Sequence, residues 1–139
     1  MLKGASHAYQ KNAGRQELIS ANLLINFNDP VAYGTAENAI DLPDDAILVG
    51  GDVTVLTAWN SATSATLKLG DAADDDRYTA TAIDLKTAGR TALTITGYRH
   101  TVAESLKALL AQAGAAATAG QARISIQYYV LGRSAFTQR

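Results

Sequence analysis

Apolar and polar residues alternate along several stretches of this chain, the period-two pattern of β-strands with one buried face. The alternation is clear in residues 17–28, which end at the turn pair Asp29-Pro30. It is clearest in residues 121–130, whose inward set is predicted to be Ala122, Ile124, Ile126, Tyr128 and Val130. Both stretches are therefore predicted to be strands, the second with Tyr128 in the core and Tyr129 on the opposite, outward face.

Residues 46–78 contain two further β-patterned runs, and the rest of the predicted fold is arranged around them. The first run ends at Trp59, which we expect to anchor the core, and the turn-forming residues 60–63 lead to a second run at 66–70. This order predicts a long β-hairpin. Gly50-Gly51 interrupts the first run, and we expect either one strand that bends there or two short strands that meet.

Short strands and turns fill much of the remaining chain. Further strands are predicted at 39–42, 78–85 and 91–96, and turns at 43–45, 88–90 and 114–120. About eight short strands separated by turn signals favour an all-β fold, an antiparallel β-sandwich of jelly-roll type. We assign residues 17–132 to this sandwich. They follow a polar N-terminal arm at 1–16, either frayed or ordered on a neighbouring subunit, and precede a C-terminal tail at 133–139.

One segment, residues 101–114, fits two structures. Val102, Leu106, Leu109, Leu110 and Ala113 recur at helical spacing, and several of the residues between them are good helix formers. A subset of the same residues also shares one face at period two. Local propensity therefore favours a helix here, while a strand remains open because tertiary context can override propensity.

Composition narrows the class of protein. The 139 residues suffice for one domain with a core of its own, and the absence of cysteine excludes disulfides and thiolate metal sites and fits a reducing cytoplasm. A formal net charge of −1 argues against general nucleic-acid binding, which usually needs a basic face. No apolar run approaches the roughly 18 residues that cross a bilayer. We therefore expect no membrane and no direct nucleic-acid partner.

Candidate chemistry is sparse. The histidines are His7, in the predicted arm, and His100, in a predicted loop beside Arg99, and neither belongs to a recognisable catalytic motif. Residues 70–78 carry four aspartates, but their spacing does not match a calcium-binding loop. We interpret this loop as a turn whose aspartates accept backbone N–H bonds, with Arg77 pairing one of them. No enzyme activity, cofactor or metal is predicted.

Several motifs resemble those of small virion proteins of tailed bacteriophages. They are VTVLTAWN at 53–60, ATLKLGD at 65–71, DRY at 76–78, DLKTAG at 84–89 and AGQARISIQY at 119–128. The resemblance covers roughly residues 40–132 and points to the proteins that decorate or cement the capsid. In such proteins the segment that matches 102–113 is usually a strand, so the resemblance favours the strand there.

The resemblance implies a function and a set of partners. It implies a virion structural protein, made in the bacterial cytoplasm, that binds the major capsid protein on the capsid exterior and stabilises the assembled shell. It also implies a homo-oligomer, a dimer in preference to a trimer. The residues expected to contact partners are Lys3, Tyr9, Lys11, Arg15, Tyr129, Arg133, Phe136 and Arg139.

Two alternatives stay open at this point. The chain could be another virion component of the same fold, such as a tail, neck or fibre-base protein. It could instead be a calcium-dependent, ligand-binding β-sandwich that uses the Asp71–Asp76 loop, with carbohydrate as one candidate ligand.

Overall fold

The structure, a computed structural model, describes residues 18–131. Within this range the chain forms nine strands: β1 (Ile19–Asn26), β2 (Ala36–Leu42), β3 (Ala46–Thr57), β4 (Ser64–Gly70), β5 (Ile83–Asp84), β6 (Gly89–Ala92), β7 (Arg99–His100), β8 (Glu104–Ala113) and β9 (Gln121–Val130). No helix in the described part of the chain is long and apolar enough to cross a membrane.

The strands form two antiparallel sheets. Sheet one has the order β1-β9-β3-β6, with β7 also paired to β3, and sheet two has the order β2-β8-β4-β5. When β6 and β7 are counted as one interrupted edge strand, the described fold has eight strands. Sheet one then contains the first, eighth, third and sixth strands in that order, and sheet two contains the second, seventh, fourth and fifth. This is the strand order of a jelly roll, so the predicted all-β jelly-roll sandwich is confirmed.

The predicted hairpin of residues 46–70 is wrong. β3 lies in sheet one and β4 in sheet two, so the two consecutive strands do not pair. The turn residues between them carry the chain from one sheet to the other, and Trp59 is buried between the sheets at this crossing, which confirms its predicted core position. An alternating pattern shows that a strand has one inward face, but it does not say to which sheet the strand belongs.

Residues 104–113 form β8, which settles the ambiguous segment as a strand. β8 lies in the middle of sheet two and pairs with both β2 and β4. Leu106, Ala108 and Leu110 point into the core at period two. Backbone pairing on both sides, together with burial of these side chains, outweighs the local helix propensity.

The short strands differ from their predicted bounds. Only Ile83–Asp84 of residues 78–85 is a strand, because the chain turns at residues 75–78, where the N–H of Thr79 donates to the carbonyl oxygen of Asp76, and bends at 80–81. The strand predicted at 91–96 is Gly89–Ala92, so Gly89 and Arg90 are ladder residues and not part of a turn.

The interruption at Gly50-Gly51 is a β-bulge within one continuous strand. Gln127 pairs with Gly50 and Tyr128 pairs with Leu48, so Val49 is an extra residue on β3. This confirms the expectation of a single strand that bends at the glycines.

The core lies between the two inward faces. Sheet one contributes mainly β-branched side chains, such as Val53, Val55, Ile124 and Ile126, and sheet two mainly leucines, such as Leu67, Leu69, Leu106 and Leu110. The alternation read from the sequence therefore corresponds to burial along β4 and β9.

Candidate functional site

Of the residues expected to contact partners, Tyr129 is the one within the described range. It is half-buried on the outer face of β9, opposite Ile47 of β3, whereas its neighbour Tyr128 is buried in the core, as predicted. The others lie outside the described residues: Lys3, Tyr9, Lys11, Arg15, Arg133, Phe136 and Arg139. The contact surface as a whole therefore stays a prediction.

The aspartate-rich loop is built around one buried carboxylate. Asp71 is only 2% exposed, and it accepts bonds from the backbone N–H groups of Ala73 (3.0 Å) and Asp74 (2.9 Å). The guanidinium of Arg77 donates to both oxygens of Asp71, at 2.5 Å from Nε and 3.3 Å from Nη2. This is the turn that the sequence predicts, with Arg77 pairing one of the aspartates.

The other aspartates of the loop lie nearer the surface. Asp74, Asp75 and Asp76 bring one carboxylate oxygen each to within 4.8 Å of one another. The hydrogen bond between the side chains of Asp74 and Asp76, followed by partial desolvation and the neighbouring negative charges, raises the pKa of Asp76. Asp71, by contrast, is committed to Arg77 and to its own turn, so the four carboxylates do not converge on one point.

His100 lies next to this loop and is fully buried. Its Nε2 atom is 2.7 Å from the hydroxyl of Tyr78, and its Nδ1 atom is 2.7 Å from Oε2 of Glu104 and 4.0 Å from Oδ2 of Asp71. The sequence analysis predicted His100 to lie in a loop beside Arg99, which is wrong. The structure places it in β7, at the centre of a buried polar cluster.

Aromatic contacts close the cluster on its outer side. The guanidinium carbon of Arg77 lies 3.6 Å from the centroid of the Tyr98 ring, a cation–π geometry. Tyr98 also meets the ring of His100 edge-on, at 5.0 Å between centroids. The cluster therefore links three separate segments: the loop after β4, the strand β7 and the first residue of β8.

The pKa values of the cluster follow from these contacts. Burial alone would raise the pKa of Asp71, but the bonds from Arg77 and from the backbone of Asp74 and Ala73 outweigh it, so the pKa is lowered. The same bond raises the pKa of Arg77. Burial, and then the negative charge of Asp71, raises the pKa of Tyr78 far above its usual range.

Chemically, the cluster holds the ion pair of Asp71 and Arg77, and three of its residues are potential metal ligands. One atom each of Asp71, His100 and Glu104 lies within 4.8 Å of the others. Each of these atoms already has a protein partner, and among the described residues no buried side-chain nitrogen or oxygen lacks one. The arrangement fits a structural role, in which the hydrogen bonds of His100 with Tyr78 and with Glu104 connect the loop to β7 of sheet one and β8 of sheet two.

A cavity of about 200 Å³ lies elsewhere, between the edge strands β1 and β2. Its floor is formed by inward-facing residues of β1 and β8, and Asp29 and Glu37 stand at its rim. Both acidic side chains accept bonds from nearby backbone N–H groups, Asp29 from Asn26 and Glu37 from Val31 and Ala32. The cavity shares no residue with the buried cluster.

Comparison with known proteins gives a likeness of fold. No family model matches this chain, and no curated protein matches it. A chain in the acidic stable capsid structure of Helicobacter pylori bacteriophage KHP30 has a TM-score of 0.64 at 14% sequence identity, over 84% of this chain and 90% of that one.

Two further solved structures are similar. A chain in the Cyanophage Pam1 capsid asymmetric unit has a TM-score of 0.61 at 23% identity, over 92% of this chain and 94% of that one. A chain in the capsid of Ralstonia phage GP4 has a TM-score of 0.56 at 17% identity, over 95% of both chains. At these low identities, the three comparisons establish a common fold.

Proposed function

We propose that this chain is a bacteriophage virion protein that binds the outer surface of the capsid and stabilises the assembled shell. The observation that carries the proposal is the extent of the fold likeness: 84–95% of this chain matches 90–95% of chains found in three phage capsid structures. The motif resemblance of residues 40–132 to capsid decoration and cement proteins supports the same function from the sequence side.

Stabilisation would be thermodynamic. A protein that binds the assembled shell, and not its free subunits, stabilises the shell by mass action. Copies that are linked to one another and engage together on a symmetric lattice need only modest affinity per site. A rigid jelly roll with a densely packed core suits this task, because little conformational entropy is lost when it binds.

The proposed partner is the major capsid protein, and the chain is proposed to act as a homo-oligomer, a dimer in preference to a trimer. Contacts would come from the outer face of β9 at Tyr129 and from both terminal segments, through Lys3, Tyr9, Lys11, Arg15, Arg133, Phe136 and Arg139. Tyrosine, phenylalanine and arginine are enriched at protein interfaces, which supports the tyrosine, phenylalanine and arginine residues of this set.

The test uses particles of the phage that encodes the chain. Quantitative gels should show the chain at hundreds of copies per particle, and electron microscopy should place it on the outside of the shell. Shells stripped of the chain should melt at a lower temperature and regain their stability when the full-length recombinant chain is added back. A few copies per particle, or density in the tail or neck, would replace this function with that of another virion component.

A truncation tests the role of the N-terminal segment. The chain without residues 1–14 should keep its unfolding temperature and bind stripped shells more weakly than the full chain. Equal occupancy of the two chains at every concentration would remove the segment from the contact surface.

A further inference from the structure

One end of sheet one carries a group of exposed apolar side chains on its outer face. Leu18 is 60% exposed, Val49 43% and Leu131 42%. Tyr129 and Ile47, which are half-buried, lie between them. We call these five residues the outer patch.

The strand register shows that the outer patch is continuous. Tyr129 pairs with Ile47, so their side chains are neighbours on the same face. Ile19 pairs with Tyr128 as the last pair of its ladder, so Leu18 and Tyr129 are the next residues beyond this pair at this end of the sheet. Val49, the extra residue of the bulge, lies on the same outer face of β3 as Ile47 and is its neighbour there.

Leu131 completes the outer patch beyond the end of β9. Its backbone N–H donates to the carbonyl oxygen of Asp45 at 3.0 Å, which fixes its position at this end of the sheet. Arg99 of β7 pairs with Ile47 on the far side and forms an ion pair with Asp45, so the patch has a charged rim.

Both terminal segments leave the domain at the outer patch, because Leu18 and Leu131 are the first and last described residues. Residues 1–17 and 132–139 together hold five of the chain's 12 basic residues and one of its 13 acidic residues. Residues 18–131 therefore hold seven basic and 12 acidic residues. The charge is segregated along the sequence: residues 18–131 are net acidic, whereas the two sequence segments that adjoin Leu18 and Leu131 are net basic.

We propose that the outer patch docks on an acidic surface of the phage shell, with an apolar centre opposite Tyr129 and carboxylates around it. This inference rests on the proposed function. The basic terminal segments would be drawn to the acidic partner, while the acidic domain is repelled by it, so the charge distribution orients the molecule with the outer patch toward the shell.

Two substitutions at Leu131 test both parts of the inference, because this residue lies outside the strands. Leu131→Glu removes an apolar contact and adds a like charge, so the dissociation constant for stripped shells should rise at least about tenfold. Leu131→Lys removes the same contact and adds an attractive charge, so it should weaken binding several-fold less than Leu131→Glu. Leu18→Glu provides a second site in case Leu131→Glu lowers the stability of the domain.

Leu56 gives the matched control, since it is 51% exposed on the same strand as Val49 and seven residues further along, about 23 Å away. Leu56→Glu and Leu56→Lys should bind like the unmodified chain. Binding should also weaken as salt rises from about 50 to 300 mM, because exposed charges are screened. Unfolding temperatures of all variants are measured first.

The outcomes separate the two proposals. If the unmodified chain does not bind stripped shells of its phage at all, the proposed function fails. If it binds, but the Leu131 and Leu18 variants bind as well as the Leu56 variants, the outer patch is not the docking face. If Leu131→Lys binds more weakly than Leu131→Glu, the partner surface is not acidic.

Discussion

Gly120 lies against the indole ring of Trp59, so closely that a β-carbon at position 120 would overlap three carbons of the ring. Trp59 sits where the chain crosses from sheet one to sheet two, and Gly120 immediately precedes β9. Indole Nε1 donates to the hydroxyl of Tyr33 at 3.0 Å, and this hydroxyl donates to the carbonyl oxygen of Phe27 at 2.5 Å. The ring is therefore held by hydrogen bonding at its edge and by packing at its face, so moving it costs free energy.

Gly120→Ala should destabilise the protein by about 2 kcal/mol or more, because the new methyl group must displace a buried ring. Gly89→Ala is the matched control: Gly89 also has a positive φ, +140° against +155°, but a β-carbon there would meet no atom within 4 Å. Urea unfolding followed by the fluorescence of Trp59, the single tryptophan, measures both. Equal losses in the two variants would mean that backbone conformation, and not the ring, sets the cost.

Asp71→Asn should destabilise the protein by about 2 kcal/mol, since it removes the buried negative charge that pairs with Arg77 at the shortest distance. The figure is below that of a fully buried pair because the Arg77 side chain retains 16% exposure. Asp52→Asn, which breaks the more exposed pair with Arg90, should cost less than about 1 kcal/mol. Chemical unfolding at pH 7 compares them, and a larger loss for Asp52→Asn would contradict the ranking.

The contribution of Asp71 should disappear in acid. Its folded pKa is lowered, so its stabilisation is fully present above the unfolded pKa, near 3.9, and is lost as the pH falls through the lower folded value. The gap in unfolding free energy between the unmodified chain and Asp71→Asn should therefore be constant from pH 7 to about 5 and close below about pH 4. A gap that is as large at pH 2.5 as at pH 7 would show that the loss arises from packing and not from the charge of Asp71.

Tyr78 should resist ionisation in the folded protein. Burial raises its pKa, so the folded state favours the neutral phenol, while the unfolded phenol ionises near pH 10. Stability from this group is complete below pH 10 and falls as the pH rises above it. Absorbance at 295 nm should titrate identically for the unmodified chain and Tyr78→Phe until the protein unfolds; an earlier difference between them would show an accessible hydroxyl.

The sequence predicted the fold class because burial in this protein follows period two along its longest strands. In β9, Ala122 to Val130 alternate between core and surface as their pattern indicates. The same pattern could not assign partners. β3 and β4 are adjacent in sequence and both alternate, yet their inward faces meet across the core and their edges never pair. In β8, backbone pairing with a strand on each side makes the segment a strand, although its local propensity favours a helix.

The buried cluster could not be predicted because its members come from separate segments. Asp71 and His100 are 29 residues apart in sequence and 4.0 Å apart in space, and no local pattern marks either as buried. Asp71 looked like one of four equivalent aspartates, whereas the structure separates it from the other three. The single useful signal was Arg77, whose predicted pairing with the loop is correct.

Of the strands in residues 18–131, the first and the last, β1 and β9, lie side by side and antiparallel, and this determines how the domain responds to force. A pull on either terminal segment runs along its strand, at right angles to the backbone hydrogen bonds of the ladder, so these bonds resist together in shear. If both segments are anchored to one support, β1 and β9 are loaded in the same direction and do not slide past each other. A tether attached at this end would therefore hold the folded domain against mechanical strain without unzipping it.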